Sequence, residues 1–160
     1  MLNSLSTRLS GNDFFFSLII REPAEVPADV ASLSSLVEPF LLAEHLGDHE
    51  RNAIQTAIEE LLTNLAKYGR SGEDAPPDTV ALTVEGTVSV SRSEVALRLR
   101  DNGCDFNPAL LPEPALLVDP ERLTPGGMGI HMLKQMFSAV CHVREGGCNM
   151  DEWMLLRNEK

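Results

Sequence analysis

The sequence predicts an α+β fold, a two-layer sandwich in which helices cover one face of a mostly antiparallel sheet. The first observation is the order of the predicted elements, which runs strand, helices, strands, loop, helix, strands. The second is the alternation of β-branched and other residues in the neighbouring stretches 79–90 and 94–103, which is typical of antiparallel strands. Helices with one apolar side need a sheet face to cover, so the two observations together favour this architecture.

Composition favours one domain and limits its partners. The chain has 160 residues, of which 43% are hydrophobic and 23% charged, as in an ordinary globular protein with a substantial core. Its 24 acidic residues outnumber its 13 Lys and Arg, so the net charge is -11 and we expect no direct contact with nucleic acid. A nucleotide remains compatible, because a helix N-terminus and a magnesium ion can offset its charge locally.

The sequence predicts a cytoplasmic protein that does not enter a membrane. Its longest apolar runs, 14–16 and 18–20, are far shorter than the roughly 20 residues that span a bilayer. The N-terminus also lacks the basic and apolar regions of a signal peptide. The three cysteines have no zinc-binding spacing, and we interpret them as structural or incidental: Cys104, Cys141 and Cys148.

The first half of the chain predicts one strand and a helical layer. Residues 1–13 are polar, and we expect a flexible N-terminus before a domain that spans 14–160. Aromatic and β-branched residues then predict a strand that stops at Pro23. Residues 27–47 have helical periodicity, as one helix or as a pair broken at Pro39. A long helix follows, with Asp48 as its candidate N-cap and Gly69 at its end.

The second half predicts the rest of the sheet and one more helix. After the two antiparallel strands, the segment from Asn107 to Pro125 contains five prolines, which predicts a long loop, with a helical turn near 115–119. Loops of this kind often act as lids. The glycine-rich stretch 126–129 then opens an amphipathic helix, and a closing hairpin turns at Gly146 and Gly147.

The long helix carries three polar residues on one stripe. In "EELLTNLAKYG", Glu60, Asn64 and Lys67 lie at i, i+4 and i+7, so their side chains stack along one side. Such residues usually form the solvated face of a helix, and this alternative stays open from the segment alone. Asn64, however, falls at the edge of the apolar stripe and is a poor helix former.

Two further motifs are each weak alone. "DNGCDFNP" begins at Asp101 and ends a predicted strand with a turn, although Asp-Asn-Gly is common in ordinary hairpins. "GGMG" leads directly into a helix, where glycines let a phosphate approach the free N–H groups at the positive end of the helix dipole. Glycine-rich helix starts are also ordinary turns.

Together these motifs, in this order, resemble the nucleotide-binding boxes of the GHKL ATPase superfamily, which includes histidine-kinase-like ATPases. Within it, "EELLTNLAKYG", "DNGCDFNP" and "GGMGIHMLKQMFSAV" look most like the anti-sigma-factor serine/threonine kinases. The resemblance covers residues from about Phe14 to Asn158. It implies the GHKL fold and ATP with Mg²⁺ as the bound groups.

The resemblance also implies roles for individual residues. Glu60 would be the general base, Asn64 would bind both the nucleotide and Mg²⁺ through its amide oxygen, and Lys67 would reach phosphate. Asp101 would accept a hydrogen bond from the adenine amino group, beside Gly103, which lets the base approach the backbone. The other nucleotide-binding residues that the resemblance implies are Phe106, Thr124, Gly126, Gly127, Met128, Gly129 and Ile130.

The implied function is partner switching. Such a kinase sequesters a sigma factor and phosphorylates a STAS-domain anti-anti-sigma protein; a homodimer is a further candidate assembly. This chain departs from the pattern, because Tyr68 and Thr124-Pro125 stand where relatives often have His and Arg, although Arg122 could substitute for that Arg. Two alternatives therefore stay open, a non-catalytic ATP-binding interaction module and a detached histidine-kinase catalytic domain.

Overall fold

The computed structural model describes residues 2–111 and 127–158. In that part of the chain, three helices lie on one face of a six-stranded sheet whose pairings are all antiparallel, in the order β1-β2-β3-β4-β6-β5. The predicted α+β sandwich is confirmed. The elements are β1 (Ser4–Ser10), β2 (Asp13–Ile20), α1 (Val26–Ala43), α2 (Asp48–Tyr68), β3 (Leu82–Val90), β4 (Glu94–Asp101), α3 (Gly127–Met136), β5 (Ala139–Glu145) and β6 (Cys148–Leu156).

The core lies between the sheet and the helices. Strand β2 shows why: its residues alternate strictly, and every second side chain is buried, at Phe14, Phe16, Leu18 and Ile20. Trp153 of β6 is fully buried and meets Phe137 edge to face, with ring centroids 5.6 Å apart. The apolar stripes of α1 and α2 cover these rows, so one hydrophobic core joins the two layers.

The N-terminus differs from the sequence-based expectation. Residues 4–10 form strand β1, which pairs with β2 over its whole length, where we expected a flexible segment. The side chains of β1 are mostly exposed, so its polar composition carries no core signal. Backbone pairing along β2 holds it instead, together with Asn3 Oδ1, which accepts hydrogen bonds from the N–H groups of Arg21 and Glu22.

Helix α1 is a single helix that continues through Pro39, which decides between the two alternatives that the sequence left open. With the turn before it, Pro23–Ala43 is long and apolar enough to cross a membrane, by length and composition only. Its most apolar positions, including Val30, Leu33 and Val37, are buried in the core. One side of this segment therefore packs in the core, while Leu36 and Leu42 remain about half exposed.

Helix α2 begins one residue earlier than the capping prediction. Its N-cap is Gly47, and Asp48 is the first helical residue. The Glu50 carboxylate accepts a hydrogen bond of 2.7 Å from the Gly47 N–H, which satisfies a donor at the helix start and places negative charge at the positive end of the dipole. Gly69 ends the helix, as predicted.

The end of the chain folds as predicted. Strands β5 and β6 pair as a hairpin whose turn residues, Gly146 and Gly147, have φ values of 58° and 74°. Both values lie in the left-handed region that glycine tolerates, as a two-residue hairpin turn requires. Of the predicted lid, only its start is described, with a short 3₁₀ turn at Pro108–Leu110. Residues 112–126, including the expected helical turn, lie outside the described residues.

Gly86 offers a test of how tightly β2 and β3 pack. A Cβ at this position would overlap the ring of Phe16, which is 3% exposed and enclosed by the core. We therefore expect Gly86→Ala to lower the free energy of unfolding by about 1–3 kcal/mol, as overpacking usually does. Denaturant unfolding measures this loss, and a Gly86→Ala variant that is as stable as the parent would contradict this packing.

Candidate functional site

A cavity of about 360 Å³ opens between α2 and the sheet, at the end of β4. Its walls are largely apolar, and polar groups gather at one end, which is the usual composition of a small-molecule site. Its lining residues come from α2 and the segment after it, from β3, β4 and β6, and from the turn after β4. They are Leu61, Leu62, Asn64, Leu65, Tyr68, Gly69, Ser71, Gly72, Val84, Leu99, Asp101, Cys104, Phe106, Asn149 and Asp151.

Asp101 lies at the polar end of the cavity. Its Oδ1 accepts hydrogen bonds from the Gly103 N–H at 2.9 Å and from Asn149 Nδ2 at 3.0 Å. Its Oδ2 has no hydrogen-bond partner among the described residues. Burial raises the pKa of Asp101, and the hydrogen bonds from Asn149 and Gly103 and the charge of Arg144 partly offset that rise. The carboxylate is therefore fixed by one oxygen and can accept a ligand's hydrogen bond with the other.

Two residues that hold Asp101 were not predicted from the sequence. Asn149 of β6 lies directly opposite Asp101 and also opposite Arg144 of β5, so the three side chains form one row across the sheet. Arg144 donates to Asn149 Oδ1 at 2.9 Å and to the Gly103 carbonyl at 3.1 Å. It also forms an ion pair with Asp74 in the segment after α2, at 2.7 Å. The row thus ties the turn after β4 to the segment that follows α2.

A second polar pair lies one pleat deeper. His142 Nδ1 and Asp151 Oδ1 are 2.6 Å apart, and both side chains are buried. Burial raises the pKa of Asp151 to about 6, the hydrogen bond with His142 partly offsets this, and the nearby charge of Asp101 adds to it. The sequence contained a signal for this position, because Asn149, Asp151 and Trp153 alternate along β6 and so share a face.

The turn after β4 packs closely on the end of α2. A Cβ at Gly103 would lie 2.8 Å from Leu65 Cδ1 and 3.3 Å from the Gly69 Cα, so only glycine fits without displacement. The Cys104 N–H donates to the Gly69 carbonyl at 2.8 Å. The close contact that the structure describes at Gly103 is with α2, and the approach of a nucleotide base to this glycine stays a prediction. Phe106 also lines the cavity and is 40% exposed.

The polar stripe of α2 divides between two locations. Asn64 lines the cavity, and its Nδ2 is buried without a hydrogen-bond partner among the described residues. Glu60 is half-buried and lies against α3. Lys67 is exposed and is not among the cavity-lining residues, although Leu65 before it and Tyr68 after it are, so its side chain is turned away from the cavity. The structure therefore does not bring Lys67 together with the other two.

Helix α3 brings its first turn to Glu60. A Cβ at Gly129 would overlap Glu60 Oε2 and would lie 2.7 Å from its Cδ, so the glycine lets the backbone approach the carboxylate. The predicted helix start is confirmed at Gly127, and Met128 is 56% exposed. Ile130 is fully buried in the core, so its side chain does not reach the cavity and only its backbone could contact a ligand. Thr124 and Gly126 lie outside the described residues.

The residues present are compatible with one magnesium ion beside a phosphate chain. No cluster of three or more His, Cys, Asp or Glu that could hold a metal occurs in the described part of the chain. Magnesium, however, often takes only one or two protein oxygens, with phosphate and water completing its shell. The unpartnered amide of Asn64 fits this requirement, because no described hydrogen bond fixes which way the amide is turned.

These features define a nucleotide-binding α+β domain, and comparisons with known proteins agree. The histidine kinase-like ATPase domain family matches residues 24–150, and the chain belongs to this family. The chain is also similar to the serine/threonine-protein kinase BtrW of Bordetella bronchiseptica, with 25% identity over 113 residues that cover 71% of this chain and 75% of the relative. The superfamily predicted from the three motifs is thus confirmed, and membership implies ATP binding.

The raised pKa of Asp151 predicts how stability depends on pH. The folded protein binds the proton of the Asp151 carboxyl more tightly than the unfolded chain does. Its contribution to the free energy of unfolding is therefore fully present below about pH 4 and is lost as the pH rises through about 6. Asn does not titrate. We therefore expect the free energy of unfolding of the parent, minus that of Asp151→Asn, to decrease between pH 4 and pH 7.

Denaturant unfolding of both proteins over this pH range measures the difference. Asp78→Asn is the control, because the Asp78 side chain is 99% exposed. If the difference in free energy of unfolding between the parent and Asp151→Asn stays constant or grows with pH, burial does not raise the pKa of the Asp151 carboxyl.

Proposed function

We propose that this protein is an ATP-dependent serine/threonine protein kinase that phosphorylates a STAS-domain anti-anti-sigma protein and, in its other complex, sequesters a sigma factor. The observation that carries the proposal is the contact between Gly129 and the Glu60 carboxylate. It places an acid capable of accepting a proton directly beside a helix N-terminus suited to phosphate. The kinase named among its relatives supports the same activity.

The base of ATP would occupy the polar end of the cavity. Asp101 Oδ2 is free to accept from the adenine amino group, and Leu61, Leu62 and Leu65 of α2 supply apolar surface for the ring. Asn149 and Gly103 hold the carboxylate by its other oxygen, so little ordering is needed when the base binds.

The phosphates would lie toward α3. The first N–H groups of a helix have no intrahelical acceptor, and here they belong to Gly127, Met128, Gly129 and Ile130. Glu60 would take the proton of the partner's serine or threonine as its oxygen attacks the γ-phosphorus. The bond from that phosphorus to the β–γ bridging oxygen then breaks, and ADP is the leaving group.

Asn64 would hold Mg²⁺ through its amide oxygen, between the adenine end of the cavity and Glu60. When bound, the ion would neutralise charge on the phosphate oxygens during transfer. Asn64 lies one helical turn from Glu60 and on the same side of α2, so the proposed metal ligand and the proposed general base, Glu60, face the same region.

The cellular setting follows from the same proposal. A kinase that exchanges between a sigma factor and its antagonist would act in the cytoplasm, alone or as a homodimer. It would control transcription without touching DNA. The net charge of -11 is consistent with protein partners and disfavours a phosphate backbone.

A non-catalytic ATP-binding module is the second candidate, and the charge around the cavity favours it. The described residues that line the cavity include no Lys or Arg, and Lys67 is exposed away from it. Phosphoryl transfer usually requires a cation besides magnesium to stabilise the transition state. In this alternative, nucleotide occupancy alone would select the partner.

Glu60→Gln separates the two candidates. Gln keeps the shape of the side chain but cannot take a proton, so we expect ATP affinity to stay near the parent value while phosphate transfer falls by about 10²-fold or more. The measurement is transfer from radiolabelled ATP, with magnesium, to a STAS-domain protein of the same organism. Calorimetry reports ATP binding separately.

Glu59→Gln is the matched control, since Glu59 is the neighbouring residue on α2 and is exposed. It should transfer phosphate at the parent rate. If Glu60→Gln also does so, Glu60 is not the base. If the parent binds ATP but phosphorylates no STAS partner, the interaction module replaces the kinase.

A further inference from the structure

Two carboxyl groups, one half-buried and one buried, line the same end of the cavity. Asp101 ends β4, and Asp151 lies on the adjacent strand β6, two residues beyond the partner of Asp101 and therefore on the same face of the sheet. Asp151 is 9% exposed. The two groups are close enough that the charge of Asp101 raises the pKa of Asp151, so a hydrogen-bond donor placed between them would relieve their repulsion.

Each carboxyl group is held by one oxygen. Asp101 uses Oδ1 for Gly103 and Asn149, and Asp151 uses Oδ1 for His142. In the described part of the chain, Oδ2 of either residue has no hydrogen-bond partner. Both residues line the cavity, so each brings to its wall a carboxyl group with one oxygen that no described hydrogen bond engages.

Asn149 lies between them, and its side-chain amide has no free hydrogen-bond donor or acceptor. Its Nδ2 donates to Asp101 Oδ1 and to the Cys104 carbonyl, and its Oδ1 accepts from Arg144 and from the Phe106 N–H. An amide has two donor hydrogens and one acceptor oxygen, so all are engaged. This end of the cavity consequently offers acceptors and few donors.

We infer that Asp151 is a second base-recognition residue, and that its Oδ2 and the Oδ2 of Asp101 each accept one hydrogen of the adenine 6-amino group. An amino group has two hydrogens, which matches two acceptors. The 6-oxo group of hypoxanthine would instead face both carboxylates with lone pairs. His142 is the positioning residue, because its ring fixes Asp151 by the other oxygen. The inference rests on the proposed ATP site and names what selects the base there.

Asp151→Asn tests this recognition. The Asn Oδ1 can still accept from His142 Nδ1–H, while the atom that faces the cavity changes from an acceptor to an NH₂ donor. We expect the affinity for ADP to fall about 10-fold or more and the affinity for IDP to stay level or rise, since the new donor suits an oxo group. Isothermal titration of the parent and the variant with both nucleotides measures the preference.

Asp105→Asn is the matched control. Asp105 is exposed, lies 3.9 Å from the other ring nitrogen of His142 and is not among the cavity-lining residues. It should leave the affinities for ADP and IDP unchanged. If Asp105→Asn shifts the preference as far as Asp151→Asn does, general charge near His142 is responsible and the inference is overturned.

Modified ligands test the same contact without a substitution that could unfold the protein. N⁶-methyl-ADP keeps one amino hydrogen and N⁶,N⁶-dimethyl-ADP keeps none, so we expect the affinity of the parent to fall in two steps. If Asp151→Asn folds, the difference between its affinities for ADP and for N⁶-methyl-ADP should be smaller than that of the parent. Equal binding of ADP and N⁶-methyl-ADP by the parent overturns the inference.

The failure of this inference and that of the proposed function give different results. If the parent protein binds no adenine nucleotide, the proposed function is wrong. A parent that binds ADP while Asp151→Asn keeps both the affinity and the preference over IDP would remove only the role of Asp151.

Discussion

The hydrogen-bonded row Asp101–Asn149–Arg144 is the constraint on which the cavity depends. It crosses β4, β6 and β5 at the end of β4, and its two side-chain hydrogen bonds have donor–acceptor distances of 3.0 Å and 2.9 Å. Arg144 extends the row to the Gly103 carbonyl and to Asp74. Removing the Asn149 amide would leave a half-buried carboxylate and a guanidinium without their common partner, which costs stability where water is partly excluded.

Helix α2 connects the two ends of the site. Its C-terminal end packs on the turn after β4, through Gly69 and Leu65, while Glu60, about two and a half turns before Gly69, touches the start of α3. One rigid element therefore sets the separation between the carboxylate that would meet the base and the helix N-terminus that would meet phosphate. Rigid secondary structure holds such groups more accurately than loops do.

Local patterns in the sequence predicted the parts of the site that lie within one element. The spacing of Glu60 and Asn64 places both on one side of a helix, and the glycines at 127 and 129 stand at a helix start, as the structure has them. The same spacing did not place Lys67 in the cavity, because at 100° per residue Lys67 is turned about 60° from Asn64, away from the side on which Leu65 and Tyr68 line the cavity. The strand β1 was missed since its side chains bury little apolar surface.

Contacts between strands could not be derived in this way. Asn149, Arg144, Asp151 and His142 are brought to Asp101 by strand order and register, in which β6 pairs between β4 and β5. A one-residue shift of β5 or of β6 would turn the two side chains of that strand to the opposite face. Their alternation with buried apolar residues indicates the face they share, but only the register shows which of them meet.

The most direct test of the account is a crystal structure of the protein grown with ADP and Mg²⁺. We expect the adenine amino group within hydrogen-bonding distance of Asp101 Oδ2 and the phosphates at the first turn of α3, beside Glu60 and Asn64. A nucleotide bound with its base away from Asp101, or at a different surface of the sheet, would contradict it.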